Sequence, residues 1–122
     1  MHELAVCQGL LRQVEAIARE HQAGRVTRIV VRIGPLSGVE PDLLAGAFPL
    51  AAAATRAAAA ELIIERLPVR VHCHTCGAET EATPNRLLCG ACGDWHTRLV
   101  GGDEMLLASV ELDRGAESIV GS

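Results

Sequence analysis

The sequence predicts an α+β fold: two helices packed with a small sheet of about three strands, and a short cysteine-rich module inserted before the last strand. Three observations carry this. Apolar residues recur at helical spacing near the start, and an alanine-rich stretch lies in the middle. Runs rich in Val and Ile alternate with those helical stretches. Four cysteines form two Cys-x-x-Cys pairs just before a final alternating run.

Each element follows from its own pattern. Leu4, Cys7, Leu10, Leu11, Val14, Ile17 and Ala18 fall on one helical face, and Arg12, Glu15, Arg19 and Glu20 on the other. This predicts an amphipathic helix from about Leu4 to His21, with Gly24 as its stop. Cys7 reads as a buried core thiol. His21 suits the negative end of the helix. In "RVTRIVVRIG", Ile29, Val31 and Ile33 alternate with Arg28 and Arg32, a strand ended by Gly34-Pro35. Pro41 then opens a second helix, with Glu40 and Asp42 at its positive end. Alanine content predicts that this helix continues through "AAAATRAAAA", with a kink or break at Pro49. "AELIIERLPVRVHC" reads as a strand interrupted at Pro68, and "DEMLLASVELD" as the last strand. Residues 114–122 have no pattern and are expected to be disordered.

Composition narrows the chemistry. The chain has 122 residues, enough for one domain or one domain with a small module. Hydrophobic residues make up 49% and aromatics only 2%, so the core must be aliphatic. The formal net charge is −4, and all 11 basic residues are arginine. An acidic balance without stacking aromatics argues against a nucleic-acid binder. No apolar run is long enough to span a membrane, and the start lacks the pattern of a secretory signal. A cytoplasmic protein with reduced thiols and no membrane association is expected.

Cys73, Cys76, Cys89 and Cys92 follow the pattern C-x2-C-x12-C-x2-C. Each pair straddles a tight turn, and Gly77 and Gly93 follow the pairs. Four thiolates so spaced suit tetrahedral Zn(II). Disulfides do not fit a reduced compartment, and a redox pair would be single. An iron–sulfur cluster is an open alternative that paired knuckles disfavour. Four protein ligands leave no open coordination position, so the zinc is structural, and the inserted module is zinc-ribbon-like. So short a module needs the metal to fold. His72 and His74 flank Cys73 and read as exposed knuckle residues; Glu79 and Glu81 read as a solvated strand face.

The stretch Met1-His2-Glu3 is the second metal candidate. The helical pattern begins almost at once, so the terminus is expected to be anchored. His2 is too bulky for ordinary removal of the initiator methionine, so a free amine is expected one residue away. An amine, the adjacent amide nitrogens and an imidazole can form fused chelate rings in a plane, which suits Ni(II) or Cu(II).

"MHE" at the start, "VVRIGPLSGVEPDLL", the four cysteines and "GGDEMLLASVEL" together resemble the HypA/HybF hydrogenase nickel-incorporation proteins, over residues 1–113. The resemblance implies a nickel-binding α/β domain, residues 1–67 with 102–113, and a zinc-binding domain, residues 68–101. It implies a metallochaperone, not an enzyme, with Ni(II) as cargo and Zn(II) as a structural cofactor. It implies delivery to the large subunit of [NiFe]-hydrogenase or its maturation complex, with a HypB-type GTPase as partner. The chain itself has no P-loop for GTP. Carried over by position, His2 is the key nickel ligand, the Met1 amine and the amides of His2 and Glu3 complete the plane, and Glu40 and His96 are further candidates. Pro49 and the tail after Asp113 depart from the resemblance. The competing readings are a zinc-ribbon adaptor for protein or nucleic acid, and a metal-dependent hydrolase, for which no general base is evident.

Overall fold

A computed structural model describes residues 2–113, without the side chain of His2; Met1 and the 114–122 tail lie outside the described residues. The elements in chain order are α1 (His2–Glu20), β1 (Arg25–Ile33), α2 (Pro41–Ala52), β2 (Glu61–Arg66), β3 (Val69–Cys73), β4 (Glu79–Ala82), β5 (Thr97–Gly101) and β6 (Met105–Asp113). They form two three-stranded sheets, ordered β2-β1-β6 and β4-β3-β5. The chain builds two compact units, one of residues 2–31, 40–64 and 107–113, the other of 32–39 and 65–106. Among the described residues, no helix is long and apolar enough to cross a membrane.

The first unit is built on the aliphatic stripe that the helical spacing predicts. Cys7, Leu10, Leu11, Val14 and Ala18 of α1 are buried with Val26, Ile29 and Val31 of β1 and Leu44, Phe48 and Ala52 of α2. The Cys7 thiol is fully buried, 3.6 Å from the Leu44 carbonyl oxygen, and burial pushes its pKa up. Strand β6 runs antiparallel to β1: Arg25 pairs with Asp113 at 2.6 Å, and the Thr27 hydroxyl donates to the Glu111 carbonyl.

Two expectations are corrected here. Helix α1 ends at Glu20 and is capped by Gln22, not Gly24: Gln22 takes φ 58°, the Ala23 N–H reaches the Ala18 carbonyl at 2.8 Å, and the Gln22 N–H reaches the Arg19 carbonyl at 3.1 Å. Ala18 and Ala23 are both buried, so the apolar contact that accompanies this cap fixes its position. Helix α2 is unbroken at Pro49 and instead ends at Ala52. The carbonyl that loses a donor belongs to Ala45, on the exposed face, where water can reach it. The alanines beyond form turns because two polar groups capture the backbone. The Thr55 hydroxyl donates to the Ala52 carbonyl and accepts the Ala57 N–H. The Glu15 carboxylate accepts both the Arg56 N–H, at 2.7 Å, and the Arg56 guanidinium. Burial would raise the Glu15 pKa, but these donors hold it below the ordinary value.

In the second unit the backbone closes at two glycines. A Cβ on Gly34 would collide with the Gly102 carbonyl, and a Cβ on Gly102, at φ 105°, would lie 2.7 Å from the Val69 Cα. The Leu36 N–H donates to the Gly102 carbonyl at 2.7 Å, and the Gly34 N–H to that of Glu104 at 2.8 Å. Gly102→Ala should therefore cost roughly 2–6 kcal/mol, from left-handed backbone strain plus overpacking. Urea unfolding of the zinc-loaded protein measures this; a loss within about 0.5 kcal/mol, as at an ordinary surface site, would show that the close approach is dispensable.

Candidate metal centre

Strand β3 delivers Cys73 at its last residue, buried by the alternation that also buries Val69 and Val71. The chain then turns through Cys76, pairs β4 back on β3 (Val71 opposite Thr80, His72 opposite Glu79), and brings in the second pair before β5. The two knuckles repeat one local geometry. Gly77, at φ 78°, donates its N–H to the Cys73 carbonyl at 3.0 Å; Gly93, at φ 80°, donates to the Cys89 carbonyl at 2.9 Å. Backbone N–H groups also face the sulfurs: Cys76 to Cys73 Sγ at 3.4 Å, and Ala91 and Cys92 to Cys89 Sγ at 3.3 and 3.4 Å.

The four sulfurs lie within 4.8 Å of one another, with Cys73 to Cys92 and Cys76 to Cys89 both at 3.6 Å. That is too far for a disulfide. It matches the edge of a tetrahedron around zinc, about 3.8 Å for Zn–S bonds of about 2.3 Å. Electrostatics argue for a cation there too. N–H donors, foremost that of Cys76, lower the Cys73 pKa, and those of Cys92 and Ala91 bring Cys89 down to about 6. Although the Asp94 N–H pulls Cys92 down, its burial and the sulfurs of Cys73, Cys76 and Cys89 push it up to about 12. Four thiolates this close need a dication between them. The residues fit zinc: bound there, it would hold the two knuckles together and leave no position open for substrate.

Beyond the second knuckle lies a polar chain that the sequence reading missed. The Thr75 hydroxyl, inside the first pair, donates to Asp94 Oδ2. Asp94 Oδ1 accepts from the His96 N–H at 3.1 Å and meets His96 Nδ1 at 2.7 Å. Donors from Thr75 and His96 hold the Asp94 carboxyl well below the usual carboxylate range. The His96 ring stacks on exposed Trp95, centroids 3.8 Å apart. An Asp two residues before an N–H is an Asx-turn signal, and "GDWH" carries it. His72 and His74 sit edge to face at 6.0 Å, and His72 Nδ1 lies 3.6 Å from the Glu79 carboxylate, beyond hydrogen-bond reach. Glu79 and Glu81 face solvent.

The nickel candidates fall as follows. His2 is the first residue of α1 and Glu3 lies in its first turn; Met1 and the His2 side chain are outside the described residues. Glu40 is exposed and precedes α2, with no side-chain cap bond. Helices α1 and α2 run in the same direction, since Cys7 meets Leu44 and, further along, Glu15 meets Arg56. Their starts therefore share one end of the first unit, and Glu40 is at the end that holds His2 and Glu3. His96 belongs to the second unit.

Comparison with known proteins places this geometry in company. A family model described as hydrogenase/urease nickel incorporation, metallochaperone, hypA, matches residues 1–112. The hydrogenase maturation factor HypA of Nitrosospira multiformis is 48% identical over 92% of this chain and 97% of its own length. That of Aquifex aeolicus is 44% identical, over 93% and 98%. Among solved structures, the Ni metallochaperone HypA from Helicobacter pylori is similar with a TM-score of 0.68 at 26% identity, covering 93% of this chain and 98% of that one.

Proposed function

The chain belongs to the HypA family of nickel-incorporation metallochaperones, which are not enzymes, and from that we propose that it binds Ni(II) at its N-terminus and passes it on during maturation of [NiFe]-hydrogenase. One observation supports this most: α1 begins at His2, so the amide nitrogens of His2 and Glu3 precede the first possible intrahelical acceptor. A metal can take those nitrogens without breaking a helix hydrogen bond. The Met1 amine, these two amides and the His2 imidazole make a planar set suited to Ni(II). Glu40, at the same end of the helix pair, is an acidic neighbour for the cation. His96 is a further imidazole donor. Zn(II) on Cys73, Cys76, Cys89 and Cys92 is the structural cofactor.

By function, residues 1–67 with 102–113 are the nickel-binding domain and 68–101 the zinc-binding domain. The protein works in the cytoplasm, where its thiols stay reduced. Its partners are a HypB-type GTPase and the hydrogenase large subunit or its maturation complex. A terminal site with few side-chain ligands suits release, because incoming thiolates or imidazoles can replace its donors in turn. Titration of zinc-loaded protein with Ni(II) tests the reading: one equivalent should bind, and His2→Ala should lose it. The same reading expects negligible DNA affinity at physiological salt, given a net charge of −4. A gel shift at low micromolar protein would favour the zinc-ribbon adaptor instead.

A further inference from the structure

Helices α1 and α2 of the first unit pack side by side, and their outer faces leave a groove of about 440 Å³ between them. Leu11 of α1 and Ala51 of α2 give it an apolar floor, and Gln8, Arg12 and Arg19 line its α1 side. From Gln8 to Arg19 it runs roughly 16 Å, the length of three helical turns. On α2, Leu44, Phe48 and Ala52 face the core. At about 3.6 residues per turn, Ala51 lies between that face and the one that carries Leu43, Ala47 and Leu50. Leu43 is 57% exposed and Leu50 74%, so an apolar ridge borders the groove and faces solvent.

The charges select a partner. Arg25, Arg28 and Arg56 of this unit each reach a carboxylate. Arg12 and Arg19 make no ion pair among the described residues, and Glu15 between them is already held by Arg56. In a chain of net charge −4, the groove therefore presents two cations on one helical face that are open to an acidic group. We propose that this groove docks an acidic amphipathic helix of a partner protein, with two carboxylates seven residues apart on Arg12 and Arg19, and leucine-type side chains between them packed over Leu11 and Ala51 against Leu43 and Leu50. Seven residues rise about 10 Å on either helix, so acids on the partner match the arginines in repeat. The groove begins at Gln8, past the start of α1, so a helix docked in it leaves that start clear. The argument uses the first unit alone and does not depend on the nickel site.

The test uses the full-length zinc-loaded protein without nickel and two synthetic alanine-based helical peptides of about 14 residues, long enough to span the groove. One carries glutamates at its fourth and eleventh positions and leucines at its seventh and eighth; the other has lysines in place of the glutamates. The acidic peptide should bind and shift the amide signals of residues 8–19 and 43–55, leaving those of β3, β4 and β5 in place. The lysine peptide should bind at least about tenfold more weakly. Arg12→Glu combined with Arg19→Glu should reverse that preference, and Leu50→Ser should weaken the acidic peptide several-fold. These residues are exposed, so the variants should keep their fold, which zinc content and amide dispersion verify. Equal binding of the two peptides, no binding of either at millimolar concentration, or shifts away from the groove overturns the proposal. Concentration-dependent shifts at Leu43 and Leu50 without peptide would assign the ridge to a second copy of this chain and overturn it too. So would a gain in peptide affinity on deleting residues 114–122, which would make that segment the occupant. Titration of His2→Ala with Ni(II) reads the terminal site separately.

Discussion

Replacing Cys76 or Cys92 with alanine should strip the zinc and unfold residues around 72–100, while the first unit keeps its structure. The reason is the make-up of the second unit's core. The buried apolar side chains of that unit are Ile33, Val69, Val71, Cys73 and Cys89, so two of its five are ligand sulfurs, and between residues 72 and 100 these two cysteines alone are buried. One isoleucine and two valines cannot offset the conformational entropy of ordering such a segment. Structural zinc supplies about 10–16 kcal/mol in comparable small modules, far more than they hold in reserve. The first unit draws on a separate aliphatic set on α1, β1 and α2. Metal analysis should fall from one zinc per chain to none. Amide signals of β3, β4 and β5 should collapse to random-coil positions, while those of α1 and α2 stay dispersed. A variant that keeps its zinc, or stays folded through residues 72–100 without it, would sink the assignment.

Nickel binding should be lost in His2→Ala, with zinc content and fold unchanged. Changes to groups that merely orient a ligand cost about 10–100-fold in metal affinity, so loss of the imidazole itself should cost more. An extension of a few residues before Met1 should also weaken binding, because it replaces the terminal amine with an amide. The two variants separate the donors: the imidazole matters in every version of the site, the extension only where the amine ligates. Binding should weaken as pH falls below about 6.5, where a free imidazole takes up a proton that the metal must displace. Unchanged Ni(II) affinity in His2→Ala would disprove the terminal site and move attention to His96, Glu40, His72 and His74.

Much of this molecule is legible from local pattern. The α1 stripe from Cys7 to Ala18, the alternation of Ile29, Val31 and Ile33, the interruption at Pro68 and the two cysteine pairs are periodicities and spacings that any fold must honour. They were enough to identify two helices, a small sheet and a four-thiolate site. What they could not determine depends on partners distant in sequence. The alanines from 53 to 60 have high helix propensity, yet α2 ends at Ala52, because a carboxylate on α1, 41 residues before Arg56, takes its N–H and guanidinium. Propensity differs by only tenths of a kcal/mol per residue, so one charged, partly buried hydrogen-bond pair overrides it. The α1 stop moved from Gly24 to Gln22 because Ala23 had to be buried against Ala18. Strand β5 was not legible because Thr-Arg-Leu-Val-Gly carries no clear apolar alternation; half-buried and exposed positions alternate along it where it pairs with β3. The Thr75–Asp94–His96 chain became visible only in three dimensions: the first link joins residues 19 apart, which become neighbours when the knuckles face one another. Residue type and spacing determine which groups can bind a metal; tertiary structure decides which hydrogen bonds hold them, because those partners meet only when the chain has folded.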